Sequence, residues 1–467
     1  MPDPIAPATA AQSAALFRSL VLDPALLLDH ALDPGEVARI VAEEAGPTRD
    51  RLFTPELTTA VFLSQVGSDD HSCRGAVARL VAWRAARGLP PCSPDAGGYC
   101  KARRRLPESL LPRLTRHLAD RIGGRVPEAW LFHGRRVVIA DGSGLSMPDT
   151  PENRAEYPQH WGQKAGCGFP LARIVVLIGL ATGCVLDAAI GASRGKSTGE
   201  MALIRGLHGR LRRGDVLLAD AYYSSYDEVM TLRRLGVDVV MRQNGNRRSD
   251  FRRGVRLGRE DHTVVWRRSR NRRPWMTREE FAALPRAMTM RELRVRVGRP
   301  GFRTRSFVVV TTLLDPAAFP AEELASLYRR RWDGELDIRS LKAAMGMDVL
   351  RCKTPAMARK EFWAHLLAYD LVRGAMAEAA VRHGVSPREL SFQGARQTLE
   401  AFRGELGRAS GPAAVVLVGA SLRAMASHRV GGRPDRVEPR VVKRRPKAYP
   451  RMQVPRGVAR KRLMRVA

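Results

Sequence analysis

Between His133 and Gln243 the hydrophobic pattern changes period several times, and that succession constrains the fold more than any other feature of the chain. HGRRVVIADGSG reads as a short β-branched strand ending in Asp141. LARIVVLIGL and CVLDAAIGAS flank the Ala181-Thr182-Gly183 turn as a hairpin, and GDVLLAD is a further strand ending in Asp220. GEMALIRGLHGRL and YDEVMTLRRLG carry helical spacing, and VDVVMRQ returns to strand. Three strands, a helix, a strand, a helix and a strand make an α/β layer with acids at two strand ends. In open α/β sheets that edge is where the chemistry is placed.

Residues 1 to about 125 read as helical, with ELTTAVFLSQV and CRGAVARLVAWRAARG broken by the Pro-Gly-rich stretch GLPPCSPDAGGYC. KARRRLPESLLPRLTRHLADRI then reads as a basic turn leading into an amphipathic helix. Residues 243 to about 318 are polar, very basic and turn-rich, with RELRVRVG and RSFVVVTTLLD as strands, and so read as a β-rich insertion. Helix resumes at EELASLYRRRWDGELDIRSLK and again at AMARKEFWAHLLAYDLVRGAMAEAAVRHG. SPRELSFQGARQTLEAF carries a capping-box signature, and from about Arg429 the chain is a basic tail expected to be loosely ordered.

At 467 residues and 51.7 kDa the chain is long enough for two to four domains. Its 79 Lys and Arg against 47 Asp and Glu leave a net charge of +32, and self-repulsion on that scale points to a polyanionic partner. The six cysteines are scattered without a C-x2-C pair, as expected of free thiols in a reducing compartment. No signal-peptide pattern opens the chain, and no uncharged apolar run approaches about 18 residues, so a cytoplasmic protein without a membrane partner is expected.

The run from Tyr328 to Lys342 is unusual for a core helix. At 3.6 residues per turn, Tyr328, Arg331, Glu335 and Lys342 fall at about 0°, 300°, 340° and 320°, so one carboxylate shares a helix face with a phenol, a guanidinium and an ammonium. Asp141, Asp220 and Glu335 are the acids that stand out, and carboxylates converging from separate elements suit Mg²⁺, which takes oxygen ligands. Two such ions activate water and stabilise a leaving 3′ oxygen in phosphodiester cleavage. Arg331 and Lys342 suit phosphates, and Tyr328 can donate its hydroxyl to one. Against this stand plainer roles: a strand-end Asp often caps a turn, and the helix residues can be a wet face with ordinary i,i+4 pairs. Gly334 argues against a helix built for stability, since an interior Gly costs ~1 kcal/mol; close approach of DNA or of another backbone accounts for it. Gly191 to Ser197 resembles a phosphate-binding loop but has three residues between its glycines where the motif needs four, so it is assigned to the turn after the third strand.

Tyr328, Arg331, Glu335 and Lys342, spaced Y-x2-R-x3-E-x6-K, resemble the signature of the cut-and-paste bacterial insertion-sequence transposases of the DDE class. Asp141 in VVIADGSG and Asp220 in GDVLLADAYYSSY resemble the first and second catalytic acids of that family, and Glu335 matches the last. The resemblance implies an RNase H-like α/β core interrupted by a β-rich insertion. It implies a helical N-terminal DNA-binding domain over 1–125, core segments at 126–242 and 319–385, an insertion at 243–318, and a C-terminal helical segment with a basic tail over 386–467. It further implies two Mg²⁺ ions per active site, replaceable by Mn²⁺, held by Asp141, Asp220 and Glu335. The implied substrates are terminal inverted repeats and target DNA, held by a nucleoid-associated homodimer that excises through hairpinned ends. By the same match Tyr328, Arg331 and Lys342 contact end phosphates. Trp332 is expected to pack on an unstacked base, and Trp266 or Trp275 to stabilise a flipped one. Some members follow the second Asp with Arg, where this chain has Ala221-Tyr222-Tyr223. Two alternatives stay open at this point: a nuclease of the same fold that does not join DNA, and a catalytically inactive DNA-binding relative.

Overall fold

The structure, a computed structural model, describes residues 34–47, 52–195, 198–296, 306–409, 411–430 and 451–466. Its centre is a nine-stranded sheet in the order β3-β2-β1-β4-β5-β9-β8-β7-β6. β1 (Val137–Ser146), β2 (Leu171–Gly179) and β3 (Val185–Ala192) form an antiparallel meander, with Gly183 at φ +80° in the expected turn. β4 (Val216–Ala219) and β5 (Asp238–Arg242) continue from β1 in parallel. β9 (Ser306–Thr311) then pairs antiparallel with β5, and β8 (Ala287–Arg296), β7 (Asp261–Arg267) and β6 (Val255–Gly258) follow outward. The β-rich stretch is therefore an extension of the same sheet.

Alternation along β1 divides two apolar layers. Val137, Ile139 and Leu145 face one core and Val138 and Ala140 the other. The first layer unites helices from both ends of the chain. α1 (Pro34–Ala45), α2 (Pro55–Gly67), α3 (Cys73–Ala86), α4 (Gly97–Arg105) and α5 (Leu110–Gly123) come from its first part. Thr54 and Ser72 cap α2 and α3 through Leu57 N–H and Gly75 N–H, and α5 buries Leu110, Leu111, Leu114, Leu118 and Ile122, one stripe at helical spacing. α4 corrects an expectation: GGYCKARRR is helix from Gly97, so the break ends earlier than the glycines suggest.

These helices share their core with α12 (Pro355–Arg382), α13 (Phe392–Arg408) and α14 (Gly411–Ser427). α12 is buried around most of its circumference, polar residues included, because it lies inside, between α5, α2 and α14. The capping box of Ser386 and Glu389 forms, but on a 3₁₀ turn; Ser391 caps α13 itself. The second layer, with α7 (Glu200–Arg205) and α8 (Tyr226–Arg234), covers the opposite face. Of the basic tail, residues 431–450 lie outside the described residues, and Arg456–Val466 is a helix rather than loose chain. Lys196 and Ser197 of the loop that follows β3 also lie outside them. Among the described residues no helix is long and apolar enough to cross a membrane.

Candidate active site

β1 and β4 run parallel with Ile139 opposite Leu218. Two residues beyond that rung each chain presents an acid, Asp141 on one and Asp220 on the other. β1 does not end at Asp141 as its sequence suggested; it continues to Ser146 because β2 pairs with it along that length. β4 does end before Asp220, whose side chain accepts from Tyr222 N–H at 2.7 Å and so caps the 3₁₀ turn Ala221–Tyr223. The plain capping role and a place at the sheet edge therefore coexist in one carboxylate.

The run from Tyr328 to Lys342 is not one straight helix. α10 (Ala321–Arg329) closes before Arg331, α11 (Trp332–Arg339) follows, and Ser340–Ala344 is a π-helical turn. The first break is a tightened turn, with Arg331 N–H on Tyr328 O at 3.1 Å and Gly334 N–H on Arg331 O at 3.0 Å. The uniform angles assumed for the four side chains do not hold across two such irregularities. What brings Glu335 to the sheet is Gly334, where an added Cβ would lie 2.7 Å from Ile139 Cγ2. The close approach that this glycine implied is made by strand β1. Asp337, one turn along, is fully buried and gripped by Arg388 at 2.7 and 2.9 Å, by the Tyr369 hydroxyl at 3.0 Å and by Arg373. That cluster locks α11 against α12 and the 3₁₀ turn at Pro387–Glu389.

Electrostatics tie the three acids together. Burial pushes the Asp141 carboxyl up to about 6, and the Glu335 and Asp220 carboxylates push the same way, while the Arg331 guanidinium and Gly142 N–H oppose them. Arg331, only 9% exposed, donates to Glu335 at 2.6 Å and feels Tyr328 and Asp141 as well. As they lie, among the described residues no three His, Cys, Asp or Glu side chains are arranged to hold a metal ion. Glu335 is turned to Arg331, Asp220 to Tyr222 N–H and Asp141 to Gly142 N–H. The repulsion that Glu335 and Asp220 exert on Asp141 is what a divalent cation relieves. The donor set therefore fits Mg²⁺.

Other residues singled out in the sequence fall as follows. Lys342 reaches past Asp141 on β1, donating to Gly144 O at 3.0 Å and pairing with Asp348 at 2.8 Å. Tyr328 is 7% exposed, its ring against Phe307 at 5.2 Å, and burial raises its hydroxyl to about 12; it sits behind Arg331 rather than on the surface. Trp332 is half exposed, its ring 5.4 Å from Arg331. Trp266 corrects an expectation: it is 1% exposed, its indole N–H on Glu292 at 2.8 Å and its ring under Arg247 at 4.0 Å, so neither face is open to a base. Trp275 is partly exposed beneath Arg205 at 4.1 Å. Sequence reasoning missed Trp161 and Phe169, which stand 78% and 63% exposed in the loop after α6 (Pro151–Glu156); isolated aromatics in a polar loop were the available signal. Glu200, whose carboxyl group lies against Gly142, was marked by no spacing either. A cavity of about 810 Å³ opens at the other end of β1, around Val137, Gly179 and Gly214, away from the acids.

A family model described as the transposase DDE domain matches residues 132–371. The transposase InsG for insertion sequence element IS4 of Escherichia coli (strain K12) is 27% identical over 437 residues, covering 92% of this chain and 94% of that protein. The transposase for insertion sequence element IS421 of Escherichia coli is 38% identical over 65 residues, 14% of this chain and 18% of that one. The cryo-EM structure of the piggyBac transposase synaptic complex with hairpin DNA aligns with a TM-score of 0.40 and 11% identity, covering 88% of this chain and 85% of that chain.

Proposed function

The chain belongs to the transposase DDE domain family and is thus a bacterial insertion-sequence enzyme that cuts and joins DNA, and from that premise we propose that Asp141, Asp220 and Glu335 are its catalytic carboxylates. Ile139 carries the assignment. It pairs with Leu218, two residues before each aspartate, and it packs against Gly334, the neighbour of Glu335, and both contacts support the reading. The strand order β3-β2-β1-β4-β5, antiparallel up to β1 and parallel beyond it, supports an RNase H-like core with β6 to β9 as its insertion.

Asp141, Asp220 and Glu335 would hold two Mg²⁺ ions, for which Mn²⁺ substitutes, and these would supply activation of the attacking oxygen and stabilisation of the leaving 3′ oxygen. Arg331 pairs with Glu335 and balances part of the site's negative charge, and buried Tyr328 backs Arg331. Lys342 holds the end of β1 and presents its ammonium to a phosphate. Trp332 and the exposed basic helix Arg456–Val466 offer stacking and phosphate contacts, and the N-terminal helices add DNA contacts. Trp275 remains the insertion tryptophan able to meet a flipped base. The substrates are terminal inverted repeats and target DNA, joined by a cytoplasmic, nucleoid-associated homodimer through hairpinned ends.

Glu335→Gln tests the assignment. Strand cleavage of a labelled end fragment in Mg²⁺ should be lost while binding of that fragment in a mobility-shift assay persists. Cleavage at the wild-type rate removes Glu335 from the catalytic set. Adding plasmid to the wild-type reaction separates transposition from simple hydrolysis, since only strand transfer yields a covalently joined product.

A further inference from the structure

The face of β1 turned away from α11 carries an acid that the triad does not use. Gly142 follows Asp141, and side chains alternate across a strand. A Cβ built on Gly142 would lie 2.8 Å from the carboxyl carbon of Glu200 and 3.0 and 3.1 Å from its two oxygens. The Glu200 carboxylate therefore rests against the backbone immediately beside Asp141, in the space that Gly142 leaves open. It opens α7, which packs on β2 and β3 through buried Ile204, so its approach is set by the fold. No hydrogen bond or ion pair to its side chain forms among the described residues, and Arg173, within 4.0 Å of a Cβ built on Gly199, does not pair with it. A partly enclosed carboxylate with no cation paired to it among the described residues has its oxygens free for a positive charge.

A second observation points into the same space. Tyr223 is 2% exposed, and its hydroxyl has no hydrogen-bond partner. After burial, the groups acting most strongly on that hydroxyl are Glu200, then Asp141, then Asp220, all of which push it upward. A buried phenol facing three carboxylates without bonding to any of them has a donor to spare for a ligand oxygen between them.

We propose that Glu200 is a fourth carboxylate of the divalent-metal centre, reaching it from the face opposite Glu335, with the Tyr223 hydroxyl as hydrogen-bond donor to an oxygen held there. This rests on the assignment of Asp141, Asp220 and Glu335 above. A helix on each side of β1 then contributes one acid, and the two strand acids stand between them.

The test is Mn²⁺ binding to the full-length chain, followed by the electron paramagnetic resonance of the free ion, with Asp141→Asn, Glu200→Gln and the remote Glu279→Gln alongside the wild type. Folding of each variant is checked by circular dichroism. The expected result is at least a tenfold loss of affinity for one ion in Glu200→Gln, a loss also in Asp141→Asn, and none in Glu279→Gln. Glu200→Asp keeps the charge and shortens the reach by one methylene; it gives a second reading if the glutamine variant does not fold, with weakened binding expected and wild-type affinity contradicting the proposal. Weaker binding in Asp141→Asn with wild-type binding in Glu200→Gln overturns the role of Glu200 and leaves the triad standing. No Mn²⁺ binding by the wild type, or binding indifferent to Asp141→Asn, overturns the triad itself.

Discussion

Gly334→Ala sets two effects of similar size against each other. Alanine is favoured over glycine inside a helix by ~1 kcal/mol, so by propensity alone the substitution stabilises α11. The new methyl, however, lies 2.7 Å from Ile139 Cγ2, with Ile139 Cβ at 3.7 Å and Cδ1 at 3.8 Å behind it. Carbon atoms pack best at roughly 3.5–4.0 Å, so either Ile139 turns or α11 withdraws by roughly 1 Å. Ile139 is fully buried, between Leu218 on one side and the helical layer on the other, and has little room to turn. Overpacking of this kind costs about 1–3 kcal/mol, which leaves a net loss of about 0–2 kcal/mol. The larger effect falls on activity, because a 1 Å displacement of Glu335 from the two aspartates costs about 10²-fold in rate. The assay is Mg²⁺-dependent cleavage of an end fragment beside urea unfolding. Ile139→Leu removes the Cγ2 methyl at nearly constant volume and should recover most of the lost cleavage in the double variant. A Gly334→Ala protein that is more stable than wild type and cleaves at the same rate would refute the close contact of α11 with β1.

Three further outcomes follow from the geometry. Asp337→Ala strands the buried guanidinium of Arg373 and that of Arg388, and should lower unfolding stability by about 3–5 kcal/mol, with Asp337→Asn milder; a urea midpoint shifted by less than the equivalent of about 1 kcal/mol speaks against the cluster. His365 is buried with its pKa lowered from 6.5 to about 3, so the unfolded chain binds its proton first and stability declines as pH falls from about 6.5 toward 3. His365→Gln should flatten the dependence of unfolding temperature on pH in that window, leaving a residual slope from His71, whose pKa is also lowered; parallel curves would contradict this. Lys342→Ala removes the tie to Gly144 and an ammonium near the acids, and should weaken end-fragment binding and reduce its salt dependence by about one phosphate contact; an unchanged salt slope excludes the phosphate role.

The strands of the core were legible because their β-branched runs are short and bounded by turn residues, as in VVIAD, GDVLLAD and the hairpin at Gly183. Helix α4 was not legible, since GGYC begins with residues that argue for a turn, whereas Tyr99 is fully buried against the core and Gly97 N–H is held by Asp95 at 2.9 Å. The four signature residues were found by spacing, yet the spacing hid the kink at Arg330 and Arg331 and the π-turn at Ser340–Ala344, which a count of residues per turn does not encode. Trp266 looked like a ligand-facing aromatic because it lies in a basic, polar stretch; its partner Glu292 is 26 residues away, on β8, and no local pattern announces that. Glu200 was invisible for the same reason: its meaning comes from Gly142, on a strand nearly sixty residues earlier.

Replacing Mg²⁺ by Fe²⁺ and mapping the cuts that hydroxyl radicals make in the polypeptide reports directly where the ions sit. With ascorbate and peroxide, fragments should end near Asp141, near Asp220 and near Glu335, and excess Mg²⁺ should suppress all three together. Cuts near one of these acids and not the other two, or cuts that Mg²⁺ leaves unchanged, would mean that the three carboxylates do not share a metal centre.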